Sequence, residues 1–216
     1  MLVLTSVNLM LDGFVLAGGK SSRMGTDKAH LQLGGVTFAE RAVSVLRLIA
    51  GKRVYFVENE KTFKEDLLPE VSRVFDVFPE RGALGGIHAA LSNSRSEWAA
   101  VLACDFPFVT GDLLKHLAQI AENENAAAVA PIQSDGRPQP LCALYRVEPC
   151  LQIVCDLLAK NSQTPPARIL LEKVETRRVK FQEIADLPGA GNFFFNVNSL
   201  TDFQEAEKIL ELAVYS

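Results

Sequence analysis

The sequence lacks the cysteine and histidine patterns that mark disulfide frameworks, zinc sites and histidine-based triads. Its four cysteines form no C-x-x-C pair, and His30, His88 and His116 are scattered without ligand spacing. Free thiols in a reducing compartment are therefore expected. No apolar run reaches transmembrane length, and the apolar N-terminus lacks the basic region of a signal peptide. These absences favour a cytoplasmic protein that does not associate with membranes.

An excess of positive charge is also missing. The net charge is −4, which argues against a general nucleic-acid partner held by phosphate attraction. A composition of 48% hydrophobic and 22% charged residues is typical of a globular protein. The length of 216 residues favours one domain over residues 1–216, with residues 1–9 interpreted as an N-terminal extension before Met10. A polyanion could then bind only at a local cationic site.

Apolar strand segments alternate with helical segments along the chain. This order is typical of βαβ units and predicts a three-layer α/β/α domain with a mostly parallel, Rossmann-like sheet. A capping box at Thr37 and Glu40 predicts the start of the first long helix. Strands are predicted over residues 14–17, 53–57, 72–76, 97–103, 126–131, 174–181 and 193–198, with a further strand ending at residue 145 and a short helix near residues 61–68.

The first predicted strand runs into a glycine-rich loop, residues 18–28, that carries several cations. Gly18 and Gly19 let the backbone approach a ligand, and successive amide groups in such a turn can bind an anion. The spacing matches neither the P-loop nor the dinucleotide fingerprint. The loop is therefore interpreted as another kind of polyphosphate site, with Arg23 and Lys28 as its cations and Lys20 solvated. The alternative is an ordinary turn with solvated lysines.

Carboxylates recur just after predicted strands, where ligands of open parallel sheets bind. Asp105 follows the most apolar strand and is a candidate Mg²⁺ ligand, although a helix cap or Asx-turn is the alternative. Asp76 ends another strand, and residues 135–139 follow a further one. No residue is placed as a covalent nucleophile. Cations, a metal carboxylate and a phosphate loop together predict direct phosphoryl or nucleotidyl transfer, with Arg23, Lys28 and Asp105 as catalytic residues.

Five blocks of the sequence resemble the molybdenum cofactor guanylyltransferase (MobA) family of nucleotidyltransferases. The first reads L-A-G-G-K-S-S-R-M-G-T-D-K over residues 16–28, and the others are residues 82–87, 104–107, 135–141 and 196–198. The resemblance implies a nucleotide-diphospho-sugar-transferase-like fold. It also implies that the enzyme transfers GMP from GTP to the molybdopterin form of the molybdenum cofactor, with release of pyrophosphate and use of Mg²⁺. Carrier or acceptor enzymes of the molybdenum cofactor are implied as protein partners.

Site residues follow from the resemblance position by position. It implies that the nucleotide contacts Leu16, Ala17, Gly18, Gly19, Lys28, Asp76 and Asp105, with the metal on Asp105. It implies that the pterin side is formed by Asp135, Arg137, Gln139, Asn196 and Asn198. One position departs from the family, because its asparagine after the second strand aligns with Val57. Asn59, two residues later, is the substitute nucleotide contact.

Two other functions remain open at this point. The departure at Val57 makes guanine less certain than cytosine, so a cytidylyltransferase for the same pterin or for a sugar or polyol phosphate is an alternative. A nucleotide-binding protein without catalytic activity is the second. It differs in requiring no metal ligand at Asp105.

Overall fold

A computed structural model of the chain describes residues 9–17, 28–59, 68–160 and 164–214. Its strands are β1 (Leu11–Leu16), β2 (Gln32–Leu33), β3 (Val36–Thr37), β4 (Val54–Glu58), β5 (Ser72–Phe75), β6 (Trp98–Ala103), β7 (Ala128–Pro131), β8 (Cys142–Arg146) and β9 (Thr176–Val179). Its helices are α1 (Phe38–Ala50), α2 (Gly82–Asn93), α3 (Gly111–Asn123), α4 (Val147–Lys160), α5 (Arg168–Lys173), α6 (Phe181–Ile184) and α7 (Leu200–Val214). Short 3-10 turns lie at Lys28–His30, Pro79–Arg81 and Ala190–Asn192.

Seven strands form one sheet in the order β5-β4-β1-β6-β8-β7-β9. All neighbouring pairs are parallel except those of β8, which runs antiparallel to both β6 and β7. Two antiparallel steps restore the direction, so β7 and β9 point the same way as β1 and β6. The carboxyl ends of six strands therefore meet at one edge of the sheet, where ligands of such folds bind.

Helices cover both faces of the sheet, and each face has its own apolar core. One core joins α1 and α3 to residues such as Val15 and Leu102, and the other joins α2 and α4 to residues such as Phe14 and Val101. Strands β1 and β6 are buried throughout because both of their faces are covered. The predicted three-layer α/β/α class with a mostly parallel sheet is confirmed.

Several local predictions are confirmed and others are wrong. The capping box opens α1, since Thr37 Oγ1 accepts from Glu40 N at 3.1 Å and Glu40 Oε2 accepts from Thr37 N at 2.7 Å. The strand predicted over residues 193–198 is wrong, because this segment is a turn followed by irregular chain. Its apolar residues fill the core beside the sheet, with Phe193 and Val197 fully buried, and do not extend the sheet.

Further observations concern element ends and exposure. The strand predicted over residues 174–181 is shorter, since Phe181 begins α6. His116 on α3 is half-buried, and burial lowers its pKa. The helix predicted near residues 61–68 and the proposed extension over residues 1–9 fall almost entirely outside the described residues. None of the helices that the structure describes is long and apolar enough to cross a bilayer.

Candidate active site

Three residues that are distant in sequence meet beyond the carboxyl ends of β1 and β6. The Nζ of Lys28 lies 3.2 Å from Asp105 Oδ2 and 2.7 Å from Asn198 Oδ1. The side chains of Lys28 and Asp105 are only 15% and 19% exposed, so this ion pair is less screened than a surface pair. The structure thus joins a predicted cation, the predicted metal carboxylate and one predicted pterin-side amide.

The backbone around Asp105 is held from both sides. Cys104 N donates to Leu16 O at 3.2 Å, which ties the end of β6 to the end of β1. Val197 N donates to the backbone carbonyl oxygen of Asp105 at 3.0 Å, which brings residues 196–198 beside the Asp105 backbone. These main-chain hydrogen bonds therefore fix the backbone position of Asp105 relative to β1 and to residues 196–198.

Two oxygens at this end are buried without a hydrogen-bond partner among the described residues. They are Asp105 Oδ1 and Asn196 Oδ1. A buried acceptor without a partner is costly and calls for a donor, a water or a cation. Carboxylate and amide oxygens are hard ligands of the kind Mg²⁺ takes, usually alongside substrate phosphates. Among the described residues no cluster of three or more His, Cys, Asp or Glu could hold a metal, so these residues by themselves form no complete cage of such ligands.

Asp76 lies at the other end of the edge, after β5. Its Oδ1 accepts from Phe78 N at 2.7 Å, and its carboxylate packs against Gly85 near the start of α2. Burial raises the pKa of Asp76, while the hydrogen bond from Phe78 and the nearby His88 oppose this rise. The Phe78 ring meets the His88 ring edge-on, with centroids 4.9 Å apart. Gly85 and Gly86 of α2 both have packing roles, since Gly85 lies against Asp76 and Gly86 against the Leu16 side chain.

Val57, the position that departs from the family, is 2% exposed and lies inside the sheet. Its register partners are Leu16 on β1 and Val74 on β5. Its side chain belongs to the apolar core and cannot contact a nucleotide. Asn59 follows the end of β4 and is half-buried, which leaves it as the polar residue beyond this strand.

A third group of residues forms a cleft of about 520 Å³ between the loop after β7 and helix α5. Asp135 and Arg137 line it and pair with each other, with Arg137 Nη2 2.6 Å from Asp135 Oδ2. The hydrogen bond from Arg137 lowers the pKa of Asp135. Gln139 is not among the lining residues. Its backbone N–H donates to Pro131 O at 3.0 Å and closes the loop.

Comparison with known proteins identifies the family. The model for the MobA-like NTP transferase domain matches residues 13–176. The chain belongs to this family. A curated relative from Clostridium perfringens, named "Probable molybdenum cofactor guanylyltransferase", is 30% identical and covers 92% of this chain and 96% of its own length. The family predicted from the five blocks is therefore confirmed.

Solved structures agree with the MobA-like assignment. Molybdopterin-guanine dinucleotide biosynthesis protein A from Archaeoglobus fulgidus has a TM-score of 0.78 at 25% identity, covering 94% of this chain and all of that one. A 4-diphosphocytidyl-2C-methyl-D-erythritol synthase from Anaerococcus prevotii has a TM-score of 0.65 at 12% identity, covering 94% of this chain and 96% of that one. The second likeness shows the fold alone.

The structure of this MobA-like chain separates the predicted site residues into three places. Leu16 ends β1 and Ala17 follows it, while Asn59 and Asp76 follow β4 and β5. Asn198 joins the Lys28–Asp105 pair instead of the cleft, and Asn196 lies two residues before it in the chain. Gly18, Gly19 and Arg23 lie outside the described residues. Sequence reasoning missed three cleft cations, Arg168, Arg178 and Lys180. The basic run T-R-R-V-K at residues 176–180, which ends a strand at the ligand edge, is the signal that could have found two of them.

Proposed function

We propose that this chain transfers GMP from GTP to the molybdopterin form of the molybdenum cofactor, forming the guanine dinucleotide cofactor and pyrophosphate. The observation that carries the proposal is the meeting of Lys28, Asp105 and Asn198 at the ligand edge of a MobA-like domain. The names of the curated relatives supply the base and the acceptor. A cation beside a carboxylate that could hold a metal suits the negative charge of a triphosphate.

The nucleotide is proposed to span the edge from Asp76 to Lys28. Asp76 and Asn59 would receive the guanosine portion, and Leu16 and Ala17 would lie under it. Lys28, together with Arg23 and the backbone of Gly18 and Gly19, would bind the phosphates. The half-buried carboxylate of Asp76 supports this direction, because guanine presents N–H donors that a carboxylate accepts.

Mg²⁺ is proposed as the metal, held by Asp105 and completed by the phosphates of the substrate. The support is the chemistry of the donors, since Asp105 Oδ1 and Asn196 Oδ1 are buried acceptors without a partner among the described residues. When bound, the ion would neutralise charge on phosphate oxygens. Lys28 Nζ contacts the other carboxylate oxygen, Asp105 Oδ2, so Lys28 would bind phosphates beside the same residue.

The acceptor is proposed to extend from the phosphate end toward the cleft. Two strand spacings, about 10 Å, separate the carboxyl ends of β6 and β7. The cleft offers Arg137, Arg168, Arg178 and Lys180 to an anionic ligand, and Asp135 and Glu172 to its N–H donors. Carrier or acceptor enzymes that deliver or receive the cofactor remain part of the proposal.

In the proposed step, an oxygen of the acceptor's terminal phosphate attacks the α-phosphorus of GTP. The new P–O bond forms as the bond to the β-phosphate oxygen breaks, and pyrophosphate leaves with its charge. Lys28 and Arg23 would offset that charge, while Asn198 holds the Lys28 ammonium in place. No residue forms a covalent bond to the substrate, so the chain acts by positioning and charge neutralisation.

The test is pyrophosphate release from each of the four NTPs, with Mg²⁺, with and without the molybdopterin acceptor. We expect release from GTP only when the acceptor is present. Asp105→Asn should lower turnover by at least about 100-fold, since removal of one such group commonly costs that much. Its melting temperature should stay near that of the wild type. Turnover close to wild type in Asp105→Asn would refute the metal assignment. Absence of pyrophosphate release from every NTP in the wild type, with the acceptor present, would favour a binding protein.

One observation favours a second candidate, cytidylyl transfer to the same pterin or to a sugar or polyol phosphate. Burial of Val57 in the sheet removes a polar contact that the family uses for the guanine nucleotide. Thermal-shift measurements with GTP, CTP, ATP and UTP plus Mg²⁺ separate the two. Strongest stabilisation by CTP would reject the guanylyl assignment and leave the reaction class unchanged.

A further inference from the structure

The N-terminus of α7 adjoins the Lys28–Asp105 pair through Asp202. Asp202 Oδ2 accepts from Asn198 N and from Ser199 N, both at 2.8 Å. Ser199 Oγ in turn accepts from Asp202 N at 3.2 Å. This reciprocal set satisfies backbone donors at the helix start, as a capping box does. It also fixes the backbone of Asn198, which is not part of the helix.

Asn198 connects the backbone that Asp202 fixes to the side chain of Lys28. Its Oδ1 accepts from Lys28 Nζ at 2.7 Å, and the preceding residue, Val197, is fully buried and bonded to Asp105 O. Asn198 is therefore held by a buried neighbour on one side and by Asp202 on the other. A lysine ammonium on its flexible four-carbon stem goes where a fixed acceptor places it.

Asp202 and Lys28 also interact by charge. The hydrogen bond from Asn198 N makes the largest contribution to lowering the pKa of Asp202, and the charge of Lys28 lowers it further. Asp202 is thus linked to Lys28 mainly through Asn198, and the charge of Lys28 adds a smaller contribution.

We propose that Asp202 is a positioning residue for nucleotidyl transfer, which fixes Asn198 so that Asn198 holds the Lys28 ammonium toward the triphosphate. The inference rests on the proposed function, because it assigns Lys28 to the phosphates. The alternative is a purely structural role, in which Asp202 only caps α7 and affects stability alone. Both predict a lower melting temperature on its removal, so stability cannot decide between them.

The chain offers a matched control in α1. Glu40 Oε2 accepts from Thr37 N at 2.7 Å, so Glu40→Ala removes a helix cap of the same chemistry. No hydrogen bond or ion pair joins Glu40 to Lys28, Asp105 or Asn198 among the described contacts. Asp202→Ala and Glu40→Ala should lower the melting temperature by similar amounts. Only Asp202→Ala should change GTP affinity and kcat/KM.

The experiment measures kcat, KM for GTP and calorimetric GTP affinity for both variants. We expect Asp202→Ala to weaken GTP affinity and kcat/KM about tenfold, as loss of a fixed positioning contact commonly does. Glu40→Ala should stay within about twofold of wild type. Asp202→Asn keeps one acceptor oxygen for the backbone donors and should recover most of the loss. Equal effects of Asp202→Ala and Glu40→Ala would overturn the proposal.

A double-mutant cycle with Lys28→Met tests whether Asp202 acts through Lys28. In that background Asp202→Ala should have almost no further effect on GTP affinity, because the group it positions is gone. A full tenfold loss in the Lys28→Met background would also overturn the proposal. The affinity cycle is independent of the acceptor. A wild type that binds GTP but releases no pyrophosphate therefore fails the proposed function, while the cycle still decides the role of Asp202.

Discussion

Gly85 is the position where one added methyl group tests the packing around Asp76. A Cβ built on Gly85 would lie closer than 3.0 Å to the carbonyl oxygen of Phe78 and 2.9 and 3.1 Å from the two carboxylate oxygens of Asp76. Real Cβ atoms do not tolerate such distances, and one of the neighbours is backbone. The loop that carries Phe78 and Asp76 must therefore move in Gly85→Ala.

The expected magnitude combines two opposing terms. Overpacking against a fixed neighbour costs about 1–3 kcal/mol. Replacing glycine by alanine within α2 returns about 1 kcal/mol of helix propensity. The net loss is about 0–2 kcal/mol, which lowers the melting temperature by a few degrees in a chain of this length. The displacement of Asp76 matters more, since it moves the carboxylate proposed to receive guanosine.

The assay is thermal unfolding together with GTP affinity, using Gly191→Ala as control. A Cβ on Gly191 would have no neighbour within 4 Å, so it adds the same methyl group in open space. Gly85→Ala should weaken GTP affinity about tenfold or more and lose stability, while Gly191→Ala should change neither. If Gly85→Ala binds GTP as tightly as the control, Asp76 does not hold the nucleotide or the loop does not depend on this contact.

Three further outcomes follow from buried polar and thiol groups. Asp12 is fully buried and accepts hydrogen bonds from Ser94, Arg95 and Ser96. Asp12→Ala should therefore lower the free energy of unfolding by about 2–4 kcal/mol in urea titrations, and a loss below about 1 kcal/mol would contradict its anchoring role. Burial raises the pKa of Asp76, so ionisation of this carboxyl destabilises the fold, and Asp76→Asn should melt at a higher temperature than wild type at neutral pH. The difference in melting temperature should disappear as the pH falls through the pKa of Asp76, and a difference that grows in acid would refute the prediction. Cys155 is exposed and should react with a thiol reagent in the folded protein, while the three buried thiols should react only on unfolding. Burial also raises the pKa of Cys142 and of Cys150 to about 12. Fast reaction of a second thiol would contradict the burial of Cys104, Cys142 and Cys150.

Local patterns were sufficient to predict most of the architecture. The alternation of strands and helices gave the layers, because each element must bury one face or both. The capping box at Thr37 and Glu40 marked the start of α1 because both partners lie within four residues. The apolar run of β6 is typical of a strand that is covered on both faces, as this strand is in the structure. Each of these features depends on neighbours in the sequence.

Pairing between distant segments was not accessible in the same way. The antiparallel direction of β8 depends on where its connections cross the sheet, which no local pattern records. Residues 193–198 have the aromatic and β-branched composition of a strand. Their apolar side chains are buried beside the sheet, however, and their backbone pairs with none of the described strands. Composition predicts burial in both cases and cannot distinguish a strand from an irregular segment that fills the core.

The two ends of the candidate site therefore differ in how they are held. Asp76, Phe78 and Gly85 lie within ten residues of one another, so one loop and one helix turn determine the end proposed to receive guanosine. The end proposed to bind the phosphates, here the phosphate end, depends on contacts that span 77 residues from Lys28 to Asp105 and 170 from Lys28 to Asn198. Such contacts form only when the sheet, the segment after residue 193 and α7 are all in place. Partial destabilisation of α7 should then impair the phosphate end while Asp76 and its loop keep their structure.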